Sequence, residues 1–241
     1  MQEISVTERH GCAAAFVFCI LLSSVLVLTA DAGADDNPVW RVSVESENMM
    51  VGFPFLARCT VPDDASPVKF SAKNLPDGLK INATSGMISG VPTKAGVKTV
   101  TMTARCKYGK KLKSAATKET FEVARLDSWA KGTYKTFKMV EETSDKVHVS
   151  PSARLAGRQA TAVLTVGATG KISGKFVVSG KSYPFSASAF DSCNEGEYKA
   201  KATVKYGGKS YSLVIGVADG ESYLEKAPGG ASAEIWAELV K

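Results

Sequence analysis

The chain has 241 residues, 44% of them hydrophobic and 22% charged, with a net charge of +6 and a pI of about 9.0. That length admits one or two domains, and the composition supports a packed core and excludes wholesale disorder. Two histidines, His10 and His148, and five cysteines without a Cys-x-x-Cys pair leave no inventory for a serine triad or a histidine-rich zinc centre.

Taken in chain order, the first element is the uncharged apolar run Cys12 to Thr29, followed by small residues. Ala32-Gly33-Ala34 offers the small-x-small pattern that a signal peptidase reads, so residues 1–34 are expected to be a cleaved secretory signal. The alternative is an uncleaved anchor, because the run is also just long enough to span a bilayer. We therefore expect a secreted or cell-envelope protein, with membrane contact only if this segment stays. The expected domains are residues 35–126 and 127–241.

Within Phe53 to Val61 the odd positions read Phe, Phe, Ala, Cys, Val, and within Val100 to Cys106 the even positions read Val, Met, Ala, Cys. Both are period-two patterns with one apolar face, the mark of half-buried strands. Cys59 and Cys106 fall on those apolar faces. In an oxidising compartment we expect them to form an inter-sheet disulfide across a sandwich, and the alternative is two buried thiols. On the chain-entropy model such a link, closing about 46 residues, would stabilise the domain by about 3–4 kcal/mol.

Between these strands lies Asn74-Leu75-Pro76-Asp77-Gly78-Leu79, then Ser85 to Pro92 (SGMISGVP), then Gly96. Pro76-Asp77-Gly78 is a turn with proline early and glycine late, and the later glycines bracket strands of only a few residues. Arg105, Lys107, Lys110, Lys111 and Lys113 cluster around a turn at Tyr108-Gly109. They would either grip an anionic partner or keep an exposed hairpin soluble and its edge unpaired.

These segments, from Met49 to about Leu126, resemble the immunoglobulin-like (He_PIG) family, which is related to cadherin-like domains. The resemblance implies an immunoglobulin-like β-sandwich. Relatives of the cadherin type carry acidic residues at two places that bind calcium between domains. Here Asp63 and Asp64 stand at the first place, but Cys106 and Lys107 occupy the second. A calcium ion needs about six oxygen ligands, so the resemblance implies at most a degenerate metal site at Asp63 and Asp64, and no other cofactor.

From Trp129 onward six strands are expected, at 161–166, 171–178, 181–189, 198–206, 209–218 and 233–240, separated by short glycine turns. GKSY occurs at 180–183 and again at 208–211, opening a strand each time. This predicts a second antiparallel β domain, a small barrel or curled meander, whose interior is either filled or holds a small ligand. The fold class is thus all-β. Asp191, Glu195 and Glu197 share one loop and would be the carboxylates of any hydrolase. Trp236, on the face away from Ile235 and Leu239, is a candidate surface aromatic.

The leading expectation is a secreted or surface non-enzymatic binding or adhesion protein, its partner a glycan or protein at the cell surface and not nucleic acid. The alternatives are a calcium-dependent cadherin-like adhesion module and a small-ligand barrel or hydrolase in the second domain.

Overall fold

The computed structural model of the chain describes residues 49–59, 61, 66–108, 110–143, 146–151, 153–194, 196–228 and 235–241. They fall into two compact units, one of the residues up to Asp127 together with Ala168–Gly170, the other of Ser128–Gly167 and Lys171–Lys241. Among the described residues every regular element is a strand. The protein is all-β, as its period-two patterns require.

The first unit contains β1 (Met49–Met50), β2 (Phe55–Arg58), β3 (Ser66–Lys73), β4 (Leu79–Ile81), β5 (Met87–Gly90), β6 (Gly96–Tyr108) and β7 (Lys111–Ala124). They form a four-stranded sheet, β1-β7-β6-β3, and a three-stranded sheet, β2-β5-β4. β1 runs parallel to β7 and the other pairs are antiparallel. Phe55, Ala57, Cys59, Leu79 and Ile88 of the small sheet are buried with Phe70, Val100, Met102, Ala104, Cys106, Phe121 and Val123 of the large one. The rings of Phe55 and Phe121 meet edge-on at 6.2 Å across the gap. This is the expected sandwich.

Two glycines explain the turn-rich stretch. Leu79 pairs with Gly90, which brings Gly78 and Gly90 backbone to backbone. A Cβ on Gly78 would lie 2.0 Å from the carbonyl oxygen of Val91, and one on Gly90 would lie 2.1 Å from that of Gly78. Both also have positive φ, 95° and 142°, where L side chains are strained. Thr93 N–H donates to the Asp77 carbonyl at 2.9 Å, and Lys98 Nζ reaches the Asp77 carboxylate at 2.8 Å, so the turn is tied to β6.

The expected disulfide between Cys59 and Cys106 is absent; both cysteines are buried thiols. Cys59 Sγ instead donates to Met102 Sδ at 3.5 Å. Met102 and Cys106 share one face of β6 but stand four residues apart, about 13 Å along the strand. A disulfide needs Cα atoms within about 7 Å. Both cysteines do face the interior, each as a thiol.

The second unit contains β8 (Gly132–Thr136), β9 (Lys138–Thr143), β10 (Lys146–Pro151), β11 (Ala153–Leu155), β12 (Arg158–Gln159), β13 (Thr161–Val166), β14 (Ile172–Val178), β15 (Lys181–Ala187), β16 (Ser192–Asn194), β17 (Glu197–Tyr206), β18 (Lys209–Ala218), β19 (Glu221–Lys226) and β20 (Ile235–Val240). β9 and β10 form a separate hairpin. The rest make one antiparallel sheet in the order β15-β14-β13-β8-β20-β19-β18-β17-β16, with β11 joined to β20 and β12 to β11. The sheet curls until β15 comes back against β17, where the rings of Tyr183 and Tyr206 meet edge to face at 4.8 Å. Ser179-Gly180 and Gly207-Gly208 both have positive φ at the two central residues, the type I′ geometry that matches strand twist. Each is followed by the lysine of a GKSY segment, which accounts for the repeat.

Leu164, Val166, Ile172, Phe176, Val178, Phe185, Tyr198, Val204, Leu213, Ile215 and Leu239 are buried and Tyr183 is half-buried. Phe190, Tyr198 and Trp129 stack in series at 5.2 and 4.6 Å. These rings and aliphatic side chains pack the inner face of the curl.

Candidate functional site

The five hairpin cations do not form one patch. In an antiparallel ladder, directly opposite residues share a face and successive residues alternate. Arg105 pairs with Ser114 and Lys107 with Leu112, whereas Lys113 stands opposite buried Cys106 and Lys111 opposite Tyr108. Lys111 and Lys113 therefore occupy pleat positions that alternate with those of Arg105 and Lys107. Lys110 is exposed in the turn.

The ladder joins Arg105 and Lys107 to other residues instead. On the outer face of β3-β6-β7 the cross-strand rows run Lys69–Arg105–Ser114, Ser71–Thr103–Ala116 and Lys73–Thr101–Lys118. Thr99–Thr120 follows, and Ser66–Lys107–Leu112 closes the hairpin end. Lys69, Lys73, Arg105, Lys107 and Lys118 are all exposed. Lys69, Lys73 and Lys118 escaped attention in the sequence because they lie up to about 50 residues apart. The available signal was period-two polarity: Lys69, Ser71, Lys73 on one strand and Lys118, Thr120, Glu122 on another.

The electrostatics of this face are one-sided. Lys69 and Arg105 are directly opposite one another, an arrangement that destabilises a sheet. None of the five cations has an ion pair among the described residues. Glu122 is the one carboxylate on these rows; it stands opposite Val97, about 13 Å along β7 from Lys118. Asp77 is engaged elsewhere: the hydrogen bond from Lys98 holds its carboxyl below the usual range, assisted by the charges of Lys98 and Lys94.

Other expected site residues are less favourably placed. Asp63 and Asp64 lie outside the described residues, as does Glu195. Among the described residues no group of three or more His, Cys, Asp or Glu side chains is arranged to hold a metal. Glu197 is bound by Lys199 at 3.1 Å. Trp236 is half-buried between Glu225 and Arg154 in register, so it is not a freely exposed platform. A cavity of about 830 Å³ opens on the second unit between β15 and β17, lined by Pro184, Ser186 and Lys201 and by the buried Phe185, Ala202 and Leu213 among others, with no carboxylate in its lining.

Residues 45–124 match the model of the He_PIG family, described as Putative Ig domain. The first domain is immunoglobulin-like. The match ends at Ala124, the last residue of β7, so every cation of the basic face lies inside it. A search of curated proteins and a search of solved structures each found no match.

Proposed function

We propose that the protein is an exported, non-enzymatic binding protein whose immunoglobulin-like domain holds an anionic partner at the cell surface. One observation carries this reading. The outer face of β3-β6-β7 presents Lys69, Lys73, Arg105, Lys107 and Lys118 to solvent with no compensating carboxylate beside them. A single-sign field of this kind raises the local concentration of oppositely charged ligands and speeds their capture. The leader-like segment at residues 12–34 supports export, and an immunoglobulin-like domain suits adhesion.

The test is co-sedimentation of the full-length protein with anionic polysaccharide beads and, separately, with phosphatidylglycerol vesicles at low and high salt. Retention on at least one probe, lost at high salt and in a Lys69→Glu/Arg105→Glu variant, supports the reading. No retention on either, or equal retention of the variant, overturns it.

A further inference from the structure

We infer that the partner of this face is a linear acidic polysaccharide lying along β6, a claim that rests on the anionic-partner reading above. The shape of the face is the first reason. From the Lys107 row to the Thr99 row is eight residues, about 26 Å, and three strands give a width of only about 10 Å. That strip, about 260 Å², is far below the roughly 800 Å² per partner that a stable protein interface buries. It is the footprint of a chain.

Its chemistry is the second reason. Between Val97 and Leu112 the three strands show cations and small hydroxyl residues: Ser71, Thr99, Thr101, Thr103, Ser114 and Thr120, all exposed or half-exposed. A hydroxyl both donates and accepts, which matches the hydroxyls of a sugar ring. Lysine and arginine match the carboxylates or sulfates that recur along an acidic glycan. Firm attachment to a membrane surface adds apolar side chains that enter the lipid boundary to the attraction of charge. Here the large exposed apolar residues, Val97 and Leu112, stand at opposite ends of the strip. Aromatic anchors of the kind that dominate protein interfaces do not occur on these rows.

Lys69 and Arg105 give the third reason. Their direct cross-strand repulsion costs free energy in the unbound protein, and an acidic group seated between them removes that cost. Lys73 and Lys118 flank Thr101 about 13 Å further along, two strand spacings or about 10 Å apart, so a second acidic group of the same chain meets a wider pair of cations.

The experiment uses the full-length protein with a soluble uronic-acid polysaccharide, a neutral glucan and phosphatidylglycerol vesicles, by titration calorimetry and co-sedimentation. The expected result is salt-sensitive binding to the acidic polysaccharide and none to the neutral glucan. Lys73→Glu/Lys118→Glu should weaken it severalfold, up to about 25-fold, since each lost ion pair accounts for up to about fivefold. Thr101→Val/Thr103→Val keeps charge and strand preference and should weaken polysaccharide binding about three- to tenfold by removing hydroxyls alone. Binding to vesicles but not to the polysaccharide overturns this inference and leaves the anionic-partner reading standing. Binding to neither overturns both. Unchanged affinity in the threonine variant also overturns it, because the hydroxyls would then take no part.

Discussion

Cys59 donates its thiol hydrogen to Met102 at 3.5 Å, four residues along β6 from Cys106. Burial pushes the Cys59 thiol above its ordinary pKa, so it is a poor nucleophile as well as an inaccessible one. Two consequences can be measured. Peptide mapping of unreduced protein should show no Cys59–Cys106 cross-link. Cys59→Ala and Cys106→Ala should each cost about 1–2 kcal/mol, and the double variant should cost their sum. A disulfide would make each single substitution as costly as the pair.

Relieving the Lys69–Arg105 repulsion should stabilise the first domain. Lys69→Glu places an opposite charge beside Arg105 and should add about 0.5 kcal/mol while weakening anion binding. A lower melting temperature for this variant would contradict the cross-strand register on which the basic face depends.

Gly90→Ala should be among the most damaging single changes. The added methyl meets the Gly78 carbonyl oxygen at 2.1 Å, backbone against backbone, at a φ of 142°. A loss of about 3 kcal/mol or more is expected, which for a domain of this size lowers the melting temperature by more than about 12 °C. A shift of only a few degrees would mean that the two strands separate easily.

Tyr134 is pushed up to about 12 by burial, with a further contribution from Asp219, and its hydroxyl donates to the Trp129 carbonyl at 2.7 Å. A raised folded-state value means that the proton is held more tightly in the native protein. Its stabilising effect is complete below the ordinary tyrosine range and disappears as pH rises from about 10 toward 12. Tyr134→Phe should therefore cost about 1 kcal/mol at neutral pH and flatten the decline in stability across that window, measured by urea melts.

Asp77 behaves in the opposite sense. Lys98 lowers its carboxyl pKa, so the stabilisation is present at neutral pH and disappears as pH falls through the lowered folded value. Asp77→Asn should remove that acid-side component, which paired acid titrations of the two proteins would detect.

The β19 strand shows where local reading stops. ESYLEK carries one buried leucine, one charge at its start and two at its end, too little alternation to announce a strand, yet it pairs along its length with β18 and β20. By contrast Thr161–Val166 and Lys209–Ala218 match the expected strands at both ends, because β-branched residues alternate there between glycine turns. Of the basic face, Arg105 and Lys107 were legible as members of a charged turn. Lys69, Lys73 and Lys118 were not, since only pairing with β6 brings them together.

The sequence by itself determined the all-β class, the sandwich motif and the inward faces, because strand periodicity and glycine turn geometry are properties of a few consecutive residues. Only the tertiary structure decided that Cys59 meets Met102, that the hairpin cations divide between alternating pleat positions, and that three distant lysines share one row system. Those outcomes depend on the register between strands and the offset between sheets. Both are fixed by the packing of the whole core and not by any local stretch of chain.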